Sequence, residues 1–163
     1  MQLHQLFKIN GATGKKISLS NGPSENFLGN GAFTLVDGVQ NSKGLKKQTE
    51  FLGFLGTDCE AVIDLGATQN ISHVKVHFFH QKGTWIYSPQ FVEVFYSDDG
   101  KSFTSVGTTQ EVSSATGNAF MEKHFTSIST RYIKVLIKNK GDIEGNPYGG
   151  HKAWLLVDEI EVN

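Results

Sequence analysis

An all-β fold, a two-sheet antiparallel sandwich, is predicted by three observations. Apolar residues alternate with a period of two in one segment after another. No segment keeps apolar residues at i, i+3, i+4 and i+7 over three helical turns. The 18 glycines and 12 phenylalanines suit a turn-rich sheet protein with an aromatic core. At 163 residues the chain is the size of one domain and long enough to bury a stable core.

The first segment, 1–13, lacks this periodicity and is set apart as an N-terminal extension or linker, leaving 14–163 as the domain. Strands are predicted over 16–19 and 61–65. Val74, Val76 and Phe78 then alternate with Lys75, His77 and Phe79, and Val92, Val94 and Tyr96 alternate with Phe91, Glu93 and Phe95. Ser97-Asp98-Asp99-Gly100-Lys101 is a hairpin signal leading into a strand over 103–106. Further strands are predicted over 120–125, 132–138 and 155–162, separated by Gly, Asn, Asp and Ser clusters. There is no internal repeat and no low-complexity tract.

Fifteen basic and sixteen acidic residues give a formal charge of −1, so no broad positive field attracts a phosphate backbone or an anionic membrane. Nucleic acid is not an expected partner, and Lys15-Lys16 and Lys46-Lys47 read as solvated loop tips. Cys59 is the only cysteine, which rules out an internal disulfide, a redox pair or a thiolate zinc site; beside an apolar strand it is expected to pack as a small hydrophobe. No apolar run has the length of a membrane span, and residues 1–10 lack the pattern of a signal peptide.

The last strand carries adjacent carboxylates, Asp158 and Glu159, where a solvated strand more often carries Lys or Thr. Far upstream, Asp37, a glycine turn and Ser42 offer oxygens able to wrap one hard ion, and calcium, with about six to eight oxygen ligands, favours such chemistry. An ion shared by both segments would pin the first and last strands together and bring the termini close. Alternatively, Asp37-Gly38 is only a type I′ or Asx turn and Glu159 faces solvent.

The order of several motifs carries a resemblance. Gly14-Lys15-Lys16-Ile17, Pro23-Ser24, Gly31-Ala32, Leu35-Val36-Asp37-Gly38, Leu52-Gly53-Phe54, Asp58 and Ala61-Val62-Ile63-Asp64-Leu65-Gly66 are followed by Trp85-Ile86, Pro89, Val92, Ser97-Asp98-Asp99-Gly100 and Phe103. Arg131-Tyr132-Ile133-Lys134-Val135 and Ala153-Trp154 with Asp158-Glu159-Ile160 complete the series. Together, over residues 14–162, they resemble the discoidin, or coagulation factor V/VIII type C, superfamily. Within it they are most similar to family-32 carbohydrate-binding modules attached to bacterial hexosaminidases and related glycoside hydrolases.

That resemblance implies a galactose-binding-like jelly roll, no catalysis, and a structural calcium ion. Its ligands would be the Thr34 carbonyl, Asp37 carboxylate, Val39 carbonyl, Ser42 oxygen, Asp158 carbonyl and Glu159 carboxylate. It also implies a module in cis with a parent glycoside hydrolase, within a larger secreted protein that is extracellular, periplasmic or on the cell surface. The expected partner is a glycan ending in a galactose-type or N-acetylhexosamine sugar, the expected state is a monomer, and no membrane partner is expected.

A pyranose needs an aromatic face for its C–H patch and directional hydrogen bonds for its hydroxyls. Loops 43–58, 80–89 and 139–153 are suitable, and the last two concentrate rings and polar groups: His80, Lys82, Trp85 and Tyr87, then Asn146, Tyr148 and His151. Tyr148, between Asn146-Pro147 and Gly149-Gly150, is the better platform; Trp85 is core or platform, and Tyr87 shares its face if the strand there is regular. His80 and His151 are cast as hydroxyl partners, Trp154, Phe51 and Phe54 as core. His73 and His77, four apart on a strand, stand about 13 Å apart and do not share an ion, and His4 and His124 have no evident role.

Arg131, the only arginine, opens a strand motif and looks structural, so the loop arginine of galactose-type binders is missing; Lys82 or Lys152 would substitute only partially. The paired terminal cysteines of the animal coagulation-factor domains are absent too. No carboxylate pair remains with a cleft context for glycosidic acid and base work, so an enzyme is not expected. The alternatives are a discoidin-type adhesion domain inserting loop tips such as Phe27-Leu28 or residues 51–55 into a protein or membrane, and a spacer that binds no sugar.

Overall fold

The computed structural model describes residues 6–143 and 151–163. Among the described residues ten strands run in chain order: β1 (Leu6–Phe7), β2 (Lys16–Leu19), β3 (Gly29–Ala32), β4 (Val39–Gln40), β5 (Leu52–Leu55), β6 (Cys59–His80), β7 (Val92–Ser97), β8 (Thr104–Thr109), β9 (Gly117–Ile137) and β10 (Trp154–Val162). Single turns of 3-10 helix, Phe33–Val36 and Lys82–Thr84, and a kinked 3-10 segment, Gly44–Glu50, lie between them. β1 pairs with β4; the other paired strands follow the order β5-β10-β6-β9-β7-β8, with β2 added to β6, all antiparallel.

β6 and β9 are long enough to serve both layers of a sandwich. The start of β6 pairs with β2 and with the end of β9, which continues to β7, while the end of β6 pairs with β10 and with the start of β9. Ala61, Ile63, Ile133 and Val135 from the first layer and Val74, Val76, Met121 and Ile160 from the second meet in one buried core, so the ribbon folds onto itself.

Here the structure differs from the sequence expectation. Segments 61–65 and 74–79 are one strand, and so are 120–125 and 132–138. Gly66, just past the end of the predicted 61–65 segment, takes a left-handed φ of +83° and its N–H donates to Asp64 Oδ1 at 2.8 Å. The ladder then resumes at Gln69 opposite Thr130, so the turn acts as an irregularity within one strand. Arg131 spans this corner, its Nε and Nη2 donating to Asp64 Oδ1 and Oδ2 at 2.9 and 3.1 Å. That pair gives Arg131 the structural role expected for it. Cys59 is buried in the core, and its thiol is pushed well up by that burial.

The described part of the 1–13 segment is tied to the domain. Lys8 N–H donates to the Gly38 carbonyl, Gly11 N–H to the Val162 carbonyl, and Val162 N–H to Asn10 Oδ1. A Cβ on Gly11 would stand 2.8 Å from the Val162 carbonyl oxygen, which explains glycine at this close approach.

The 97–101 hairpin forms as expected between β7 and β8. Asp99 Oδ1 accepts from Lys101 N–H, Ser102 N–H and the Ser97 hydroxyl, and these donors hold the carboxyl down at about 2. Because the folded value lies below the ordinary 3.8, this contribution to stability is present above about pH 4 and is lost as pH falls from 4 towards 2. Acid unfolding of Asp99→Asn, followed by circular dichroism, is expected to depend less on pH across that window than wild type.

Asn139 anchors the chain entering the last loop. Its Nδ2 donates to the Phe54 and Ala153 carbonyls at 3.1 and 3.2 Å, its Oδ1 accepts from Gly141 N–H at 2.7 Å, and the residue is only 2% exposed. Asn139→Ala removes three hydrogen bonds to backbone groups, takes the acceptor from Gly141 N–H and leaves the Ala153 carbonyl only Gly56 N–H, at a cost of about 1–3 kcal/mol. A urea titration is expected to show a lower midpoint with an unchanged slope.

Candidate functional site

Two places hold polar or aromatic groups that the fold alone does not require. The first is acidic and lies where β10 passes the 33–42 segment. β10 carries a register shift between Val157 and Glu159. Before it, Leu155 and Val157 point into the core; after it, Ile160 and Val162 do. The bulge therefore brings Asp158 and Glu159, neighbours in sequence, onto one face, and both are buried, at 1% and 0% exposure.

Asp158 Oδ2 accepts from Asn41 N–H at 2.7 Å, whereas Asp158 Oδ1 and both Glu159 oxygens are buried without a hydrogen-bond partner among the described residues. Burial pushes the Glu159 carboxyl up to about 10, and the charges of Asp37 and Asp158 add to the effect. Asp158 is raised to about 8, again first by burial, with Glu50 and Asp37 contributing. Asp37 is raised by burial and by Glu50, against the Val39 N–H that its Oδ1 accepts at 2.8 Å. Asp37 thus forms the Asx turn that was the alternative to ion binding, yet also belongs to this acidic group. Thr34 is buried in the 33–36 turn and Val39 begins β4, while Ser42 is exposed beside them.

The second place is a cleft at the loops between β6 and β7 and before β10. Trp85 caps the Lys82–Thr84 turn in a left-handed conformation, φ +66°, and is the one non-glycine with positive φ among the described residues. Such a conformation costs on the order of 1–3 kcal/mol in a residue with a Cβ and persists only when neighbours impose it. Here Trp85 N–H donates to the Lys82 carbonyl, the Trp85 carbonyl accepts from Trp154 N–H at 2.9 Å, and Gln81 and Ile86 bridge on either side. The clamp turns the Trp85 ring outward, 39% exposed, stacked on His151 with centroids 4.3 Å apart and planes 22° from parallel.

Leu55, Thr84, Lys152 and Trp154 complete a cavity of about 320 Å³ beside this pair. A second one, lined by Phe27, Leu45 and Gln48, adjoins the Thr84 and Trp154 wall. Trp154 is half-buried with Phe27 edge-on to it at 5.2 Å, so it is core on one side and cleft wall on the other. The polar depression around Asn41, Lys75 and Asn118 is a weaker platform, because its ring, Phe120, is covered by Lys75 Nζ at 4.2 Å.

The F5/8 type C domain profile matches residues 24–160. The chain belongs to the F5/8 type C domain family. No match was found among curated proteins. A fucose-binding module of Streptococcus pneumoniae is 18% identical, with 94% of each chain covered and a TM-score of 0.63. Chitosan-binding module 1 from a chitosanase/glucanase of Paenibacillus sp. IK-5 is 20% identical over 96% of this chain and 99% of that one, with a TM-score of 0.57. The module CpGH89CBM32-5 of Clostridium perfringens, solved in complex with GalNAc-β-1,3-galactose, is 14% identical over 90% and 93% of the two chains, with a TM-score of 0.59. At these identities the likeness establishes the fold, a discoidin-type β-sandwich.

Within this F5/8 type C domain the predicted sugar residues separate. Trp85 and His151 come together, with Lys82 on the adjoining turn. Tyr87 does not share the Trp85 face: the chain between them is a 3-10 cap followed by an isolated bridge, not a regular strand, and the Tyr87 ring lies under Lys140 Nζ at 6.0 Å. His80 is buried, 5% exposed, its Nε2 on the Ser114 carbonyl at 2.9 Å and its ring edge-on to Phe78, so it is a packed histidine held away from the cleft. Asn146 and Tyr148 lie outside the described residues.

Asn41 and Glu50 went unremarked in the sequence. Asn41 is 4% exposed; its Nδ2 donates to the Gly44 and Lys47 carbonyls and to Glu50 Oε1, and its Oδ1 accepts from Gly44 N–H and Asn118 Nδ2. Gly44 at φ +56° closes this loop against Asn41, and the Asn-x-x-Gly spacing was its only signal.

Proposed function

We propose that this domain is a non-catalytic carbohydrate-binding module whose platform is the outward face of Trp85, flanked by His151 and Lys82. The observation that carries the proposal is the left-handed Trp85, held by its backbone so that an indole faces a cleft instead of the core. Strain of this kind concentrates where a side chain must be presented. The indole offers the C–H face of a pyranose a stacking surface, and the His151 ring and Lys82 ammonium offer hydrogen bonds to hydroxyls. A cavity of about 320 Å³ suits one or two terminal sugar rings more than a long buried chain. The ligand class is a terminal galactose-type or N-acetylhexosamine glycan, and the module's service to a parent glycoside hydrolase in cis is to raise local concentration through tethering.

The acidic group at β10 fits the structural calcium that the family resemblance implies. Three of its buried carboxyl oxygens lack partners among the described residues, and carboxylates gathered away from water are stable as ions only with a cation among them. The Asp37 and Glu159 carboxylates, Ser42 oxygen, and Thr34, Val39 and Asp158 carbonyls would hold it, and hard oxygen donors favour calcium over zinc. Its role would be to fasten the 33–42 segment to the last strand.

Of the loop tips named for the adhesion alternative, Phe51 and Phe54 are fully buried and Phe27 is partly buried in the same cluster as Trp154, leaving Leu28, 50% exposed, and Leu55, 43% exposed. A glycan array probed with the calcium-loaded domain tests the assignment. Binding confined to terminal galactose-type or N-acetylhexosamine structures is expected; silence from folded protein would favour the spacer.

A further inference from the structure

His73, Glu122 and His124 meet on the outer face of the sheet, away from the acidic group and from the Trp85 cleft. We propose that these three side chains form a surface site for a borderline divalent transition metal such as zinc or copper(II).

The site is made by pairing, not by spacing along one strand. His73 on β6 is directly opposite His124 on β9. The His73 N–H and carbonyl are both committed to Asn163 on its other side, N–H to carbonyl at 2.8 Å in each direction. Toward β9, therefore, His73 and His124 form a non-hydrogen-bonded pair, the arrangement that brings cross-strand side chains closest. The rings lie 4.2 Å apart between centroids, 17° from parallel. Glu122, two residues before His124, shares its face. Its Oε2 lies 2.9 Å from His73 Nε2 and 3.8 Å from His124 Nε2, and the three ligand atoms fall within 4.8 Å of one another.

Two imidazole nitrogens and a carboxylate oxygen are a donor set for zinc, copper and nickel, not for calcium or magnesium. To share one ion at about 2.0–2.1 Å the two rings would have to turn their Nε2 atoms toward each other, and His124, the exposed member, leaves open positions for water. The site would tie β6 to β9 at the edge of the second layer. Lys75 is directly opposite Glu122 in the ladder and its Nζ lies over the Phe120 ring at 4.2 Å, while His77 Nε2 is bound to Glu161 Oε2 at 2.8 Å, so His77 is not free to join.

Zinc and copper(II) titrated by calorimetry into the whole chain with calcium present, alongside histidine-ring NMR, test the proposal. One equivalent should bind, shift the His73 and His124 ring signals and leave those of His77 and His80 in place. His124→Ala and Glu122→Gln should each weaken binding by about tenfold or more while keeping the wild-type fold spectrum. Zinc should raise the melting temperature of wild type but not of His124→Ala. Equal binding by wild type and His124→Ala, ring shifts confined to other histidines, or no binding at millimolar metal would overturn it.

Discussion

Stripping calcium with EGTA is expected to lower the melting temperature of this domain by about 5–10 °C at neutral pH. A ligand present at a hundred times its Kd adds about 2.7 kcal/mol to the folded state, and in a domain of this size each kcal/mol moves the midpoint by roughly 2–4 °C. The physical source is the acidic group at β10. Glu159 has two buried oxygens with no partner among the described residues, and the charges of Asp37 and Asp158 disfavour its ionisation.

Glu159→Gln separates this from an ordinary packing effect. With calcium, the variant should be less stable than wild type, because a charged ligand is lost. With EGTA the difference should shrink or vanish, since without a cation the Glu159 carboxyl, pushed up to about 10, is itself protonated and neutral at this pH, as the amide is. Differential scanning calorimetry of both proteins in both buffers gives the four midpoints. A wild-type midpoint that ignores EGTA would remove calcium from the account.

Trp85→Ala is expected to weaken glycan binding by tenfold or more, with the calcium-dependent midpoint almost unchanged. An aromatic stacking contact contributes about 0.5–1.5 kcal/mol beyond the area it buries, and 1.4 kcal/mol is tenfold. The fold loses little because the ring is 39% exposed and its main contact is the equally superficial His151. Trp85→Gly sharpens the test: glycine occupies φ +66° without penalty, so this variant should match or exceed the stability of Trp85→Ala while binding just as poorly. Isothermal titration with a glycan bound by wild type, paired with thermal melts, reads both quantities.

The strands were legible because one face of each is buried, so the period-two pattern in β6, β7, β9 and β10 is imposed by the core. What the pattern did not carry was continuity. Gly66 looks the same in sequence whether it ends a strand or turns within one, and only the partner strand, with Thr130 opposite Gln69, decides. The short β1, β3 and β4 have too few residues to show any period, and β5, Leu-Gly-Phe-Leu, has no alternation to show.

At the candidate sites, Asp158 and Glu159 were conspicuous because adjacent carboxylates break the alternation of a strand, and the bulge that puts them on one face explains how the chain accommodates both. Trp85 stood between core and platform in the sequence, since φ is not written there; the 3-10 cap that turns it outward is a tertiary result, fixed by the hydrogen bond from Trp154 N–H. The same turn separates Tyr87 from it. His80, next to the loop in sequence, belongs to the end of β6 and points to the Ser114 carbonyl. The His73 and His124 pair was invisible for a different reason: the two are joined only by register across β6 and β9.

The most direct measurement is the indole N–H signal of Trp85 in a heteronuclear NMR titration of the calcium-loaded domain with a terminal galactose-type or N-acetylhexosamine glycan. A saturable shift of that signal and of the His151 ring, with His80 unmoved, is the outcome this structure leads to. Saturable binding that leaves Trp85 and His151 unchanged, or no binding of any such glycan by the folded domain, would contradict it.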